Sequence, residues 1–153
     1  MSSTRVHRRI RIRAPRARVY RALLDARGRG LDGAGRHDRH VHEFDPREGG
    51  AFRVSLTYDA PTGTGKTTLH TDTYRGRFVR LVPDEQVVRV VEFETADPAL
   101  QGEMTFTITL TDADSGTDVV GMHDGLPRGV SPADNELGWR MALGKLAALV
   151  EAG

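Results

Sequence analysis

Residues 51–82 read AFRVSLTYDAPTGTGKTTLHTDTYRGRFVRLV, and their centre has the spacing of a permissive Walker A motif. Ala60 stands where the first glycine of such a motif is usual, and Gly65, Lys66 and Thr67 complete it. A phosphate-binding loop needs a buried strand before it and a helix after it, because the phosphates bind backbone N–H groups at a helix N-terminus. The flanking residues therefore determine whether the chain is a nucleotide-binding α/β protein.

Neither flank of the motif has the required pattern. Residues 51–58 alternate apolar and polar side chains, which is typical of a half-exposed antiparallel strand and not of a buried parallel one. Residues 67–82 are rich in threonine, valine and aromatic residues and alternate in the same way. We therefore predict that residues 59–67, DAPTGTGKT, form a hairpin connection between two antiparallel strands and that the chain binds no nucleotide.

The same alternation extends along most of the chain. A first strand places Val6, Ile10 and Ile12 on one face and basic residues on the other, and a short helix begins at Pro15. Pro, Gly and Asp residues then separate successive alternating segments, as turns require. Strands are predicted near residues 39–45, 50–59, 67–82, 86–95, 102–112 and 116–124.

The C-terminal part of the chain predicts one long amphipathic helix. Ser131 is expected to cap its N-terminus, with Pro132 at the first helical position. A single apolar stripe is predicted to consist of Trp139, Ala142, Leu143, Leu146, Leu149 and Val150. One apolar helix face therefore meets one apolar sheet face. The fold class is α+β, with a curved antiparallel sheet of about seven strands wrapping a long C-terminal helix.

Composition excludes several classes of function. A formal net charge of +1 gives no reason to expect a nucleic acid or a membrane as partner. The chain has no cysteine, which excludes disulfides and thiol chemistry. Without a signal-peptide core or an apolar run of membrane-spanning length, we predict a single cytoplasmic domain covering residues 1–153. Arginines concentrate in the first third of the chain, an asymmetry compatible with self-association or with ion pairs across the sheet.

Five segments together resemble the SRPBCC (START-like) superfamily and its helix-grip fold. In chain order they are IRAPRARVYRAL, FDPREGGAFRV, YRGRFVRLVPDEQVV, GTDVVGMHDGLP and NELGWRMALGKLAALVE. The closest branch is similar to the bacterial homologues of the activator of heat-shock-protein-90 ATPase. The resemblance implies a cavity between the sheet and the long helix, which the superfamily uses for lipids, sterols, polyketides and other apolar ligands.

Strand alternation and this resemblance together predict the residues that line the cavity. On the strand at 86–95 both faces are almost equally apolar, so either Glu92 or Arg89 points inward. The family's strand pattern implies that His123 faces inward and that Trp139 covers one end. The predicted ligand-binding residues are Phe52, Leu56, Tyr58, His70, Asp72, Tyr74, Phe78, Glu92, Phe106, His123 and Trp139.

The polar members of this set allow two interpretations. They could form an acid–base set like that of the superfamily's cyclases, because a carboxylate beside a histidine in an apolar pocket has the shifted pKa that such chemistry needs. The favoured interpretation is that they hydrogen-bond one another, since buried polar groups are normally paired. No nucleophile or cofactor motif is present, so we predict no cofactor and assign no catalytic residue. The acid–base set would consist of His70, Asp72, Tyr74, Glu92 and His123.

A second group of histidines, His37, His40 and His42, lies close together in the sequence. Imidazoles suit zinc, nickel or copper, and His40 and His42 would share one face of a strand. Because no helix or cysteine fixes a complete ligand set, we interpret them as ordinary histidines and predict no metal site.

The leading functional hypothesis is a non-catalytic module that binds a small apolar or aromatic molecule. One alternative is a protein-interaction role resembling the chaperone-activating relatives, which requires an exposed surface and not a cavity. The other is a cyclase-like or dehydratase-like enzyme.

Overall fold

The computed structural model describes residues 5–24, 37–58 and 71–151. Its two helices and seven strands are β1 Arg5–Ile12, α1 Arg16–Leu23, β2 His37–Phe44, β3 Ala51–Tyr58, β4 Thr71–Val82, β5 Gln86–Phe93, β6 Met104–Ala113, β7 Gly116–Asp124 and α2 Pro132–Glu151. The predicted order of elements is confirmed. Most predicted strand ends agree to within two residues, because the alternation stops where the turn residues begin.

All seven strands form one antiparallel sheet in the order β1-β7-β6-β5-β4-β3-β2. Strands β2 to β7 are neighbours in chain order, and β1 joins the sheet beside β7. With α2 after the last strand, this is the helix-grip arrangement, so the α+β prediction is confirmed. Neither described helix combines the length and the apolar character needed to cross a membrane.

The Walker-like segment falls largely within residues 59–70, which lie outside the described residues. The two strands on either side of it, β3 and β4, are antiparallel neighbours, with Ala51 opposite Arg77 and Thr57 opposite Thr71. Consecutive antiparallel strands are the pairing that a hairpin produces. The element that follows the segment is therefore a strand, whereas a phosphate-binding loop leads into a helix.

Helix α2 packs on the inner face of the sheet and runs closest to β1 and α1. Its buried side chains recur three or four positions apart, as one face of a helix requires; they are Trp139, Ala142, Leu143, Leu146 and Val150. Leu149 was expected in the same stripe, and that expectation is wrong, because its side chain is 43% exposed. The stripe is therefore narrower than the sequence indicated.

The inner face of the sheet supplies the other half of the core. Fully or almost fully buried side chains alternate along the strands and include Phe52, Val54, Phe78, Val87, Val91, Met104, Ile108, Leu110 and Val119. Burying this much apolar surface against one helix face is the main favourable contribution to the stability of such a fold.

Strand β4 carries a bulge, and Gly76 is not part of it. Gly76 stays in regular register opposite Phe52, and the register shift falls between Phe78 and Arg80. A Cβ atom on Gly76 would collide with the Val90 carbonyl oxygen and lie 2.8 Å from Cζ of Phe52. Glycine is thus required here for close packing, while the bulge leaves the intervening residue of β4 exposed.

Several charges on the outer face of the sheet are paired across strands. On the basic face of β1, Arg9 and Arg11 both donate to the Asp118 carboxylate of β7, at 2.5 and 2.6 Å. The hydrogen bonds from Arg11 and Arg9 lower the pKa of Asp118. These two arginines are therefore paired with one carboxylate of the neighbouring strand.

The contact between α2 and β7 generates a prediction about two glycines. A Cβ atom on Gly121 would lie 2.5 Å from Cζ3 of Trp139, whereas one on Gly144, in the interior of α2, meets nothing within 4 Å. We expect Gly121→Ala to lower the free energy of unfolding by about 1–3 kcal/mol, since overpacking forces the indole to move. The matched change Gly144→Ala should raise it by about 0.5–1 kcal/mol through helix propensity.

Chemical denaturation of both variants and the parent measures the difference. A Gly121→Ala variant as stable as the parent would mean that Trp139 is not packed against β7 as described.

Candidate functional site

Four side chains form a row across the inner face of the sheet. The strand register places Phe78 of β4 opposite Arg89 of β5, Arg89 opposite Phe106 of β6, and Phe106 opposite His123 of β7. Adjacent strands lie about 4.8 Å apart, so neighbouring side chains of such a row are in contact range. The row brings a guanidinium and an imidazole to the two sides of one phenyl ring.

Aromatic rings extend this row in two directions. On one side, Phe52 lies 5.2 Å from Phe78 and 6.2 Å from Tyr74, measured between ring centroids. On the other side, Trp139 reaches down from α2 and its ring centroid lies 5.5 Å from that of Phe106. These spacings are those of favourable edge and tilted ring contacts. We call the whole group the inner cluster; it consists of Phe52, Tyr74, Phe78, Arg89, Phe106, His123 and Trp139.

Arg89 is the cation of the inner cluster. Its guanidinium carbon lies 5.3 Å from the centroid of Phe52 and 5.2 Å from that of Phe106, within the range of cation–π attraction. Within the described ranges, no ion pair and no side-chain hydrogen bond includes Arg89. Its charge is therefore balanced there by aromatic faces and not by a carboxylate.

The structure thus distinguishes the two candidates on β5. Arg89 joins the inner cluster, and Glu92 does not: the Glu92 carboxylate accepts a hydrogen bond of 3.0 Å from Nε of Arg75. The Arg75 side chain is 59% exposed, which puts this pair on the outer face of the sheet. Sequence alone could not decide, because valines occupy both faces of this strand.

His123 is the most deeply buried polar residue of the cluster, with 2% of its surface exposed. Its Nδ1 accepts a hydrogen bond of 3.0 Å from the indole N–H of Trp139. An indole nitrogen can only donate, so Nδ1 carries no hydrogen and the neutral ring has its hydrogen on Nε2. The contact with Trp139 therefore selects one tautomer of the imidazole.

Burial lowers the pKa of His123 from 6.5 to about 4. Loss of solvation is the largest cause; the negative charge of Asp124 acts in the opposite direction, and the nearby positive charge of Arg89 lowers the pKa further. A hydrogen-bonding interaction with the Asn135 side chain raises it. His123 is consequently neutral at pH 7.

Two buried polar atoms beside the cluster form no hydrogen bond of normal geometry with the described residues. They are Nε2 of His123 and Oδ1 of Asn135. Asn135 precedes Trp139 by four residues on α2, so both side chains lie on the same face of the helix. An unpaired donor and an unpaired acceptor in a buried position cost stability unless something satisfies them. Asn135 was not among the predicted site residues, although its spacing from Trp139 was the available signal.

The structure describes only part of the predicted ligand-binding set. Six of the predicted set come together in the inner cluster, namely Phe52, Tyr74, Phe78, Phe106, His123 and Trp139. The backbones of Leu56, Tyr58 and Asp72 belong to β3 and β4, with Leu56 opposite Asp72, but their side chains lie outside the described part. His70 lies outside the described residues altogether.

Two histidines of β2, His40 and His42, are exposed at the edge of the sheet. The rings of His40 and His42 are 4.5 Å apart, and Nε2 of His42 hydrogen-bonds to Oγ of Ser55 at 2.8 Å. Within the described residues no three histidine, aspartate or glutamate side chains form a group that could hold a metal. The side chain of His37 is not among those described, so the absence of a metal site stays a prediction.

The sequence matches the model of one protein family along most of its length. The family is described as "Activator of Hsp90 ATPase homolog 1-like protein", and the match covers residues 13–151. The chain also matches the crystal structure of a protein from Chromobacterium violaceum at 33% identity, with a TM-score of 0.83, over 97% of this chain and 96% of that one. None of the curated proteins matches.

Two more distant structures share the fold. A protein from Rhizobium leguminosarum is 17% identical with a TM-score of 0.77, over 99% of this chain and 97% of that one. DynU16, a protein in the dynemicin biosynthetic locus, is 22% identical with a TM-score of 0.68. The alignment with DynU16 covers 97% of this chain but only 48% of that one.

The buried His123 generates a prediction about pH. Its folded-state pKa lies below its unfolded-state value of 6.5, so the unfolded chain binds the proton more readily. Stability is therefore complete above pH 6.5 and falls as the pH is lowered towards 4. The expected loss is up to about 3 kcal/mol, at about 1.4 kcal/mol for each unit between the two pKa values.

The measurement is the free energy of unfolding of the parent, His123→Gln and His40→Gln at a series of pH values. The His123→Gln profile should lack this loss, and the profile of the exposed-residue control His40→Gln should follow the parent. Parallel profiles for the parent and His123→Gln would contradict the neutral, buried imidazole.

Proposed function

This chain belongs to the family of Activator of Hsp90 ATPase homolog 1-like proteins, and we propose that it is a binding module for a small apolar or aromatic molecule. The molecule is held between the inner face of the sheet and α2, beside the inner cluster. Sites of this kind are lined mainly by apolar and aromatic side chains, with a few polar groups that fix the orientation of the ligand.

One observation supports this proposal most strongly. The buried Nε2 of His123 forms no hydrogen bond of normal geometry within the described part of the chain, although Asn135 lies close enough to raise the pKa of the ring. Three aromatic side chains of the cluster, Phe52, Tyr74 and Trp139, lie around the row to which His123 belongs. A protein that only needed a packed core would place an apolar residue there, because an unsatisfied buried donor costs about 1–3 kcal/mol. A ligand with an acceptor atom would satisfy the donor and remove that cost.

An enzymatic function receives less support. A cyclase-like mechanism needs a carboxylate next to the histidine, and the Glu92 carboxylate pairs with Arg75 on the outer face. DynU16 has the same fold and belongs to a biosynthetic locus, which keeps biosynthetic ligands among the candidates but assigns no reaction to this chain.

A second candidate function is an interaction with a chaperone, favoured by a feature of α2. Leu137 and Met141 lie one helical turn apart and are 45% and 44% exposed. Exposed apolar pairs of this kind are suitable contacts for a protein partner. Self-association, a cytoplasmic location and the absence of nucleic acid, membrane, nucleotide and cofactor remain predictions from the sequence.

Trp139 provides the test of ligand binding, because it is the only tryptophan of the chain. We expect at least one member of a panel of fatty acids, sterols and polycyclic aromatic compounds to change its emission and to raise the melting temperature, since a ligand of the native state stabilises it. The matched control combines Trp139→Phe with Leu149→Trp, which moves the reporter to an exposed position. In this control the emission should not respond. If the whole panel left both signals of the parent unchanged, the binding function would be rejected.

The chaperone candidate has a separate test. A purified chaperone of the heat-shock-protein-90 class should hydrolyse ATP faster when this protein is added. The double variant Leu137→Ser/Met141→Ser should lose that effect. Its melting temperature should stay within about 2 °C of the parent's, because substitutions at exposed positions usually change stability little. Unchanged hydrolysis with the parent protein would count against this role.

A further inference from the structure

We propose that the molecule bound at the inner cluster carries a carboxylate, and that Arg89 and the Nε2–H group of His123 bind it. This inference rests on the proposed binding function and adds the chemical class of the ligand. It would make the site one for aromatic or apolar acids and not for neutral hydrocarbons or sterols.

The first argument is the charge of Arg89. A guanidinium that faces the inside of a fold loses solvation and is normally compensated by a carboxylate. Two arginines of the neighbouring strands have such partners: Arg53 donates twice to Glu94, at 2.7 and 2.9 Å, and Arg75 donates to Glu92. Among the described residues Arg89 has no ion pair or side-chain hydrogen bond, and its guanidinium lies near the faces of two phenyl rings. Its planar donor fork is thus available to a carboxylate.

The second argument is the position of the two polar groups. Arg89 and His123 are both register partners of Phe106, one on each side of it. Two strand spacings separate their backbones by roughly 10 Å, and the long arginine side chain can span much of that distance. A ligand lying over Phe106 could therefore direct one acidic group to both side chains.

The third argument is the polarity of the two groups. A guanidinium has only donors, and the Trp139 contact leaves His123 with a donor at Nε2. Two converging donors, one of them charged, match an anion with acceptor oxygens and disfavour an amine or another cation. Because the imidazole is neutral, the pair carries one positive charge and is complementary to one carboxylate.

The alternative explanation involves no ligand. In this explanation Nε2–H of His123 and Oδ1 of Asn135 satisfy each other, which agrees with the interaction by which Asn135 raises the pKa of His123. Arg89 would then be a purely structural residue held by its two rings. These two explanations make opposite predictions about added acids.

The experiment compares acids with neutral molecules of the same shape. The probes are benzoic acid, naphthalene-2-carboxylic acid and anthracene-2-carboxylic acid, each paired with its primary amide. Dissociation constants are measured at pH 7 and constant salt from the emission of Trp139. For the parent protein we expect the best acid to bind about 10-fold to 100-fold more tightly than its amide, the range typical of a charge-assisted hydrogen bond.

Variants of two arginines then test whether Arg89 causes the preference for the acid. Arg89→Met keeps an unbranched apolar side chain between the rings and removes the charge, so it should weaken binding of the acid much more than binding of the amide and abolish the preference for the acid. Arg89→Lys should retain part of the preference. Arg75→Met removes the same charge from the outer face of the neighbouring strand and should keep the parent's ratio.

The outcomes are distinguishable. Equal affinity for acid and amide in the parent would overturn the carboxylate inference and leave the binding function intact. A preference that survives Arg89→Met, or that Arg75→Met also abolishes, would equally overturn it. If no acid and no amide bound, the inference would fail, and the broader ligand panel would decide the binding function separately. The comparison in the parent and in Arg89→Lys holds even if Arg89→Met does not fold.

Discussion

The contact of Trp139 with β7 is the interaction on which the described arrangement depends. The indole ring lies against Gly121, where the absence of a Cβ atom lets the helix approach the sheet. From this position its N–H group reaches Nδ1 of His123. One aromatic side chain therefore sets both the height of α2 above the sheet and the tautomer of a buried histidine. A larger residue at position 121 would disturb both at once.

The sheet uses its arginines differently on its two faces. On the outer face they pair with carboxylates across strands, and the hydrogen bond from Arg53 lowers the pKa of Glu94. Such exposed pairs add little to stability and chiefly keep the surface hydrated and the pairing of strands specific. On the inner face Arg89 is partly buried, and its guanidinium lies beside two phenyl rings and no carboxylate of the described residues. Its position is hard to explain by stability alone, which makes it the residue that most strongly points to a ligand.

Much of the fold followed from two periodicities in the sequence. The alternation of apolar side chains predicted the strands and the common face of Phe52, Phe78 and Phe106. The spacing of apolar residues in the last twenty positions predicted α2. What could not be predicted depends on contacts between elements. The choice of Arg89 over Glu92 requires the positions of the rings on β3 and β6, and the bulge of β4 is a property of its pairing with β5. The resemblance to a family supplied the inward position of His123, for which a single strand gave no signal.

The tautomer of His123 also bears on whether the site is catalytic. A general base works best when its pKa lies near the working pH, and burial holds the pKa of this imidazole at about 4. In addition, Nδ1 of His123 accepts the hydrogen bond of the indole N–H, so the hydrogen of the neutral ring is on Nε2. Both ring nitrogens are then occupied, and neither has a free lone pair that could take a proton from a ligand. To act as a base, His123 would have to break its hydrogen bond with the indole N–H of Trp139. While Nδ1 is bound to Trp139, His123 can donate a hydrogen bond from Nε2 but cannot abstract a proton, which is compatible with the proposed binding role and not with that of a general base.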